Sequence, residues 1–243
     1  MKLSKEAISY ILDLQRRKQP QVCCLTNLER LYNIKKAIMN YNGKVNFLPD
    51  IDLREGVSGD TLLILVDEIK DENILYMEKA LISFNNKKGV VFLEIGGINS
   101  SINKRNLALS FLSRYNLDVI KGTKEEIETL IKGQMGKGDE FDNKDITFKY
   151  RYFSKKNHLV LIIEGDNYYI TDGYSEFSIE NINKDFFIND LLEDIHTGMI
   201  AVGLGVCKSK GEIIQSILVS TLSFEISELY VEKYIPKPAC CYL

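Results

Sequence analysis

Leu62-Leu63-Ile64-Leu65-Val66 is five apolar residues in succession, with no polar residue to face water. A strand with that pattern must be covered on both sides, which is the habit of parallel sheets packed between helices. Outward from it, the same short runs recur. Val22-Cys23-Cys24-Leu25 and Val45 to Leu48 come before it, and Val90-Val91-Phe92-Leu93 and Asp118 to Ile120 come after. Between them lie stretches of helical periodicity: 4–18, one from Thr26-Asn27 to the turn signal Asn42-Gly43, then 71–86, 103–115 and 124–132. In the first helix Ser4 is placed to cap, Leu3 to pack on Ile8, and Pro20 to close the segment. This alternation predicts an α/β fold: a right-handed, mostly parallel central sheet flanked by helices, in a single domain over residues 1–243.

The second half of the chain changes pattern. Leu159 to Ile163 has the make-up of a strand, and Gly165-Asp166-Asn167 and Asp172-Gly173 are hairpin turns, giving a short hairpin region around 159–179. Residues 146–154 suit a helix or a strand equally. From Thr197 two helices are expected to run to about Glu232, parted near Ser209-Lys210-Gly211. Gly133, Gly136 and Gly138 lie in a polar loop over 133–145 with no strand leading into them, so they are not a dinucleotide fingerprint. Gly203 to Ser209 lacks the Gly before Lys that a phosphate loop needs, and helix packing explains it better.

Composition narrows the function. With 45% hydrophobic and 27% charged residues the chain has the make-up of a soluble globular protein. A net charge of -3 and the lack of a basic block argue against nucleic-acid binding. No apolar run reaches membrane-spanning length, and the N-terminus lacks the apolar core of a signal peptide. The five cysteines are odd in number, form two adjacent pairs and show no zinc-type spacing, as expected of reduced thiols in a cytoplasm. Cys23 and Cys24 are expected to be inert core residues, and His158 a surface residue. The terminal Cys240-Cys241-Tyr242-Leu243 fits a prenylation pattern without a polybasic stretch before it, and chance explains it better. In open α/β sheets ligands bind beyond the carboxyl ends of the strands. That points to the loops at Asn27, Asp67, Glu94, Gly122, Glu164 and Thr197.

Several of these loops resemble the hydroxyethylthiazole kinase family, a branch of the ribokinase-like superfamily. Val22-Cys23-Cys24-Leu25-Thr26-Asn27 is similar to that family's opening strand with its Thr-Asn. Val119-Ile120-Lys121-Gly122-Thr123-Lys124-Glu125-Glu126-Ile127 is similar to its Ile-(Arg/Lys)-Gly-Asn-x-x-Glu-Ile segment. Glu164 to Gly173 resembles its Thr-Gly-Glu…Asp-Gly hairpin, and His196-Thr197-Gly198-Met199 falls where it has Gly-Thr-Gly-Cys. The resemblance runs from about residue 20 to about residue 230, in the same order throughout. It implies a ribokinase-like fold and an ATP- and Mg²⁺-dependent phosphorylation of the primary alcohol of a thiazole, in thiamine salvage. It also implies a homotrimer whose small-molecule partner is a heterocyclic alcohol.

Phosphoryl transfer to an alcohol needs a group to take the hydroxyl proton, positive charge or N–H donors for the phosphates, and usually Mg²⁺. The resemblance puts Thr197 and Gly198 at the N-terminus of a helix as the anion cradle, with Thr123, Glu164, Gly165 and Arg105 (or Lys104) around the phosphates. It puts Asn27 and Leu48 in the substrate pocket, and Glu94 and Glu126 at the metal. Local structure offers plainer roles: Thr197 as a helix cap, Asn27 in an Asx-turn, and Thr123 with Glu126 as a capping box. The family's catalytic Cys is replaced by Met199, whose thioether takes up no proton. His196 or Asp194 remains as a substitute base, with a loop or capping role favoured for His196. Glu94 stands for an Asp, Ile95 for a Pro, Thr123 for an Asn and Glu164 for a Thr that faces phosphate. Asp67-Glu68-Ile69 replaces an Asn-Ile-Gly-Thr. These departures favour weak or lost catalysis. The alternative to a kinase is a non-catalytic descendant that binds a small molecule or pairs with an active relative.

Overall fold

A computed structural model describes residues 4–48, 57–66, 71–135, 145–181 and 190–234. The expected Leu3 contact, Asp67-Glu68-Ile69, most of the loop over 133–145 and the terminal cysteines lie outside the described residues. The chain alternates α1 (Lys5–Lys18), β1 (Gln21–Leu25), α2 (Leu28–Asn40), β2 (Lys44–Phe47), β3 (Thr61–Leu65), α3 (Asp71–Lys87), β4 (Val90–Glu94) and α4 (Ile102–Arg114). It continues through β5 (Val119–Thr123), α5 (Lys124–Met135), α6 (Ile146–Asn157), β6 (Val160–Glu164), β7 (Asn167–Thr171), β8 (Glu176–Glu180), α7 (Asp190–Leu204) and α8 (Lys210–Tyr234).

The eight strands form one sheet in the order β2-β1-β3-β4-β5-β6-β7-β8. The first six are parallel, and β7 and β8 fold back antiparallel through the two expected hairpin turns. The ambiguous 146–154 stretch is helical, within α6. Gly173 takes φ 85° in the second turn, a backbone setting that costs glycine little.

Alternate strand residues feed two cores, as the pleat requires. Cys23, Leu62, Leu93 and Ile120 face Ala80 and Phe84 of α3, Phe111 of α4 and Phe153 of α6. Cys24, Leu63, Phe92 and Ile162 face Ile34 and Ile38 of α2, Ile200 of α7 and Ile217 of α8. α1, capped by Ser4 as expected, adds a small outer cluster of Ile11 with Val206 and Val219. Among the described residues no helix is long and apolar enough to cross a membrane.

One element departs from expectation in a way that matters for the site. α7 begins by Asp190, not at Thr197, so Thr197 and Gly198 lie two turns inside the helix. The apolar face that continues upstream through Leu191, Leu192 and Ile195 carries the helical pattern past the Thr-Gly pair.

Candidate functional site

Three neighbouring parallel strands end in charge. Glu94 closes β4, Lys121 lies opposite it in β5, and Glu164 closes β6. α2 and α7 pack across these strand ends. Asn27 caps α2 by accepting from the Arg30 N–H at 2.7 Å, and this starts the helix where Arg30 points into the cluster. α7 contributes Glu193, Asp194, His196 and Thr197, which lie within little more than one turn.

The contacts are close. Arg30 donates through its guanidinium to Glu94 Oε1 at 2.6 Å and through Nε to Asp194 Oδ1 at 2.6 Å. Asn33 completes Asp194 at 3.0 Å. The Lys121 ammonium, with no solvent exposure, lies 2.9 Å from Glu164, 3.3 Å from Glu94 and 3.7 Å from Glu193. Thr197 donates its hydroxyl to Glu94 Oε2. The His196 ring sits between Tyr168 and Phe224, at 4.7 Å and 4.9 Å, with Nε2 3.0 Å from Thr221 Oγ1 and Nδ1 3.7 Å from Glu164.

Burial works against every charge here; close cations outweigh it for some groups and not for others. For Glu94, Lys121 and Arg30 outweigh burial and hold the carboxyl at about 2. Burial would lower Lys121, but Glu164 and Glu94 outweigh it and raise it above the ordinary lysine range. Glu164 is likewise held below its usual value by Lys121 against the effect of burial. Glu193, half-buried, is pushed up to about 8 by burial and by Glu94 and Glu164 beside it, with Lys121 opposing. Burial lowers His196, so the imidazole is neutral near pH 7. Two cations are therefore shared among the carboxylates of Glu94, Glu164 and Asp194, with the Glu193 carboxyl beside them, and the cations are consumed internally.

The other expected site residues have local structural partners. Thr123 and Glu126 form the capping box: the Thr123 N–H donates to Glu126 Oε2 at 2.9 Å, and the Glu126 N–H approaches Thr123 Oγ1 at 3.4 Å. Glu126 Oε1 accepts from the Gly97 N–H at 2.6 Å, so both oxygens of this expected metal residue are engaged by backbone. Among the described residues no group of three or more His, Cys, Asp or Glu side chains is set to hold a metal ion. Arg105 donates to the Ile98 and Asn99 carbonyls at 3.2 Å each, bracing the loop after β4. Leu48 is wholly buried in the core. Gly165 is a turn residue, and Asn27 is a cap.

His196 is neither a loop nor a capping residue but a stacked interior one. Gly198 is a helix-packing residue: a Cβ there would come 2.8 Å from the Ala37 side chain and 3.2 Å from the Ile34 carbonyl. Met199, two residues beyond Thr197 and so about 200° round the helix, faces away from the strand ends into a cavity lined by α2 and α8. Sequence reasoning missed Arg30 and the centrality of Lys121. A lysine inside the apolar strand Val119-Ile120-Lys121 was the available signal, because a buried ammonium demands carboxylates around it.

Solved structures place this architecture in the ribokinase-like class. A ribokinase-like superfamily protein from Enterococcus faecalis V583 superposes with TM-score 0.60 at 12% identity, covering 89% of this chain and 87% of that one. A hydroxyethylthiazole kinase protein from Pyrococcus horikoshii OT3 superposes with TM-score 0.79 at 18% identity, covering 96% and 89%. An ADP/ATP-dependent NAD(P)H-hydrate dehydratase from Bacillus subtilis, co-crystallised with ATP and Mg²⁺, gives TM-score 0.57 at 10% identity, covering 96% and 92%. No curated protein matches by sequence. The family model of the hydroxyethylthiazole kinase family matches residues 55–225, and the chain belongs to that family.

Proposed function

We propose that this chain is a hydroxyethylthiazole kinase homologue in which phosphoryl transfer is lost or severely slowed, and that it serves as a binding or assembly subunit. The observation that carries this reading is the fate of the anion cradle. Inside a helix the N–H groups of Thr197, Gly198 and Met199 are spent on i→i−4 hydrogen bonds and are not offered to a phosphate. The two cations at the strand ends are already matched by Glu94, Glu164 and Asp194. A triphosphate would meet the carboxylates of Glu94 and Glu164 at the strand ends, and the Glu126 oxygens are engaged by the Thr123 and Gly97 N–H groups. Met199, at the family's base position, points to the far side of α7. The family's trimeric assembly and cytoplasmic setting are retained in this reading.

A coupled ADP-release assay with hydroxyethylthiazole, run beside calorimetric titration with ATP and Mg²⁺, tests the reading. The expected result is no turnover above background and no nucleotide binding, for the natural chain and for Met199→Cys alike. Turnover at ordinary kinase rates, roughly 1–100 s⁻¹, or activity gained by Met199→Cys, would overturn it.

A further inference from the structure

The cavity that receives Met199 lies on the opposite side of α7 from the charged cluster. It is a trough of about 680 Å³, within the range of small-molecule pockets. Three helices line it with residues one turn apart. α2 offers Tyr32, Lys36 and Asn40, and α7 offers Leu191, Ile195 and Met199. Ser223 and Ser227 of α8 close the third side. Its floor is alkyl and thioether. Among the described lining residues Lys36 is the one cation and none is a carboxylate, and the ammonium stands 4.2 Å above the Tyr32 ring. The Tyr41 ring is also on the wall, with its hydroxyl buried behind it beside Ser223, Ser220 and Gln15.

We propose that this trough binds a small amphipathic organic anion. Its carboxylate or sulfonate pairs with Lys36, and its apolar body lies over Met199 and Ile195 beside the Tyr32 ring. The site is separate from the strand ends and holds whether or not phosphoryl transfer is lost. Met199 is then a binding residue whose soft thioether suits an apolar guest.

The test uses the fluorescent anion 8-anilinonaphthalene-1-sulfonate and its uncharged analogue N-phenyl-1-naphthylamine on the full-length chain. The expected result is one sulfonate bound per chain. Met199→Trp and Ser227→Trp, which fill the floor and the mouth, should each weaken it at least tenfold. Lys36→Gln should weaken it about threefold to fivefold, as one exposed charge allows, and leave the neutral analogue unaffected. Ser227→Trp decides the matter if Met199→Trp fails to melt cooperatively. Binding that survives Ser227→Trp, or loss of both probes equally in Lys36→Gln, overturns the proposal. So does affinity that falls with rising protein concentration as the mass of the species rises, which would give the trough to a second copy of the chain.

Discussion

Lys121→Met tests the closed charge cluster directly. The substitution keeps most of the side-chain volume and removes one ammonium that is fully shielded from water and lies 2.9 Å from Glu164 and 3.3 Å from Glu94. At an effective dielectric of about 20, a contact near 3 Å carries about 5 kcal/mol of attraction before desolvation is charged against it. What the variant loses is set by the carboxylates left behind: removing one partner of a buried pair typically costs about 3–5 kcal/mol. For a chain of this size that lowers the melting temperature by roughly 10 °C. The loss should shrink on acidification. Without Lys121, burial raises Glu164 above its unfolded value, so lowering the pH from 7 to about 5 protonates it in the native state first and restores stability relative to the natural chain. A double variant, Lys121→Met with Glu164→Gln, should recover much of the loss at pH 7. Urea unfolding at pH 7 and pH 5 measures both effects. A loss below about 1 kcal/mol, or one that does not change with pH or with the second substitution, refutes a buried cluster held by this lysine.

Three further outcomes follow from the geometry. His196 is lowered by burial, so the unfolded chain binds a proton near pH 6.5 that the native chain refuses. Native stability therefore falls as pH drops through that value, by up to about 1.4 kcal/mol per unit. His196→Phe should flatten urea midpoints measured between pH 7.5 and 5.5, and parallel profiles would contradict the neutral buried ring. Gly198→Ala puts a methyl 2.8 Å from Ala37. Overpacking of about 1–3 kcal/mol outweighs a propensity gain of about 1 kcal/mol, so the variant should melt lower, and a more stable variant would refute the tight α2–α7 crossing. Burial pushes the Cys23 thiol up to about 11 and Cys207 to about 12, with Cys24 raised further still. In a Cys240→Ser, Cys241→Ser background, Ellman's reagent should label none of the three until the chain unfolds. Rapid labelling at pH 8 would show that these thiols are accessible.

The fold was legible because its signals are local. Unbroken apolar runs such as Leu62 to Val66 mark strands covered on both faces, and Ser4, Asn27 and Thr123 with Glu126 mark helix starts that the structure keeps. Glu164 and Glu94 could be placed at strand ends by the same reasoning. Their partners could not, because Arg30 reaches Glu94 across 64 residues of sequence and Asp194 across 164, and no short-range pattern encodes such a meeting. The start of α7 was misplaced for a related reason. Thr-Gly is a cap signal in isolation, but the apolar positions at 191, 192 and 195 extend the helical face past it, and packing against α2 overrides the local preference.

The two reported halves of the strand-end cluster explain each other. A phosphate cradle works by leaving positive potential uncompensated until the anion arrives. With Glu164 present, Lys121 has a permanent counter-ion, and the low dielectric of its burial makes that pairing expensive to break. Running upstream past Thr197, α7 brings Asp194 onto Arg30 and Thr197 onto Glu94, and both are satisfied. Glu164 on Lys121 and the helical course of α7 are therefore parts of one closed charge arrangement. The same helix turns Met199 away from the strand ends and toward the cavity between α2 and α8.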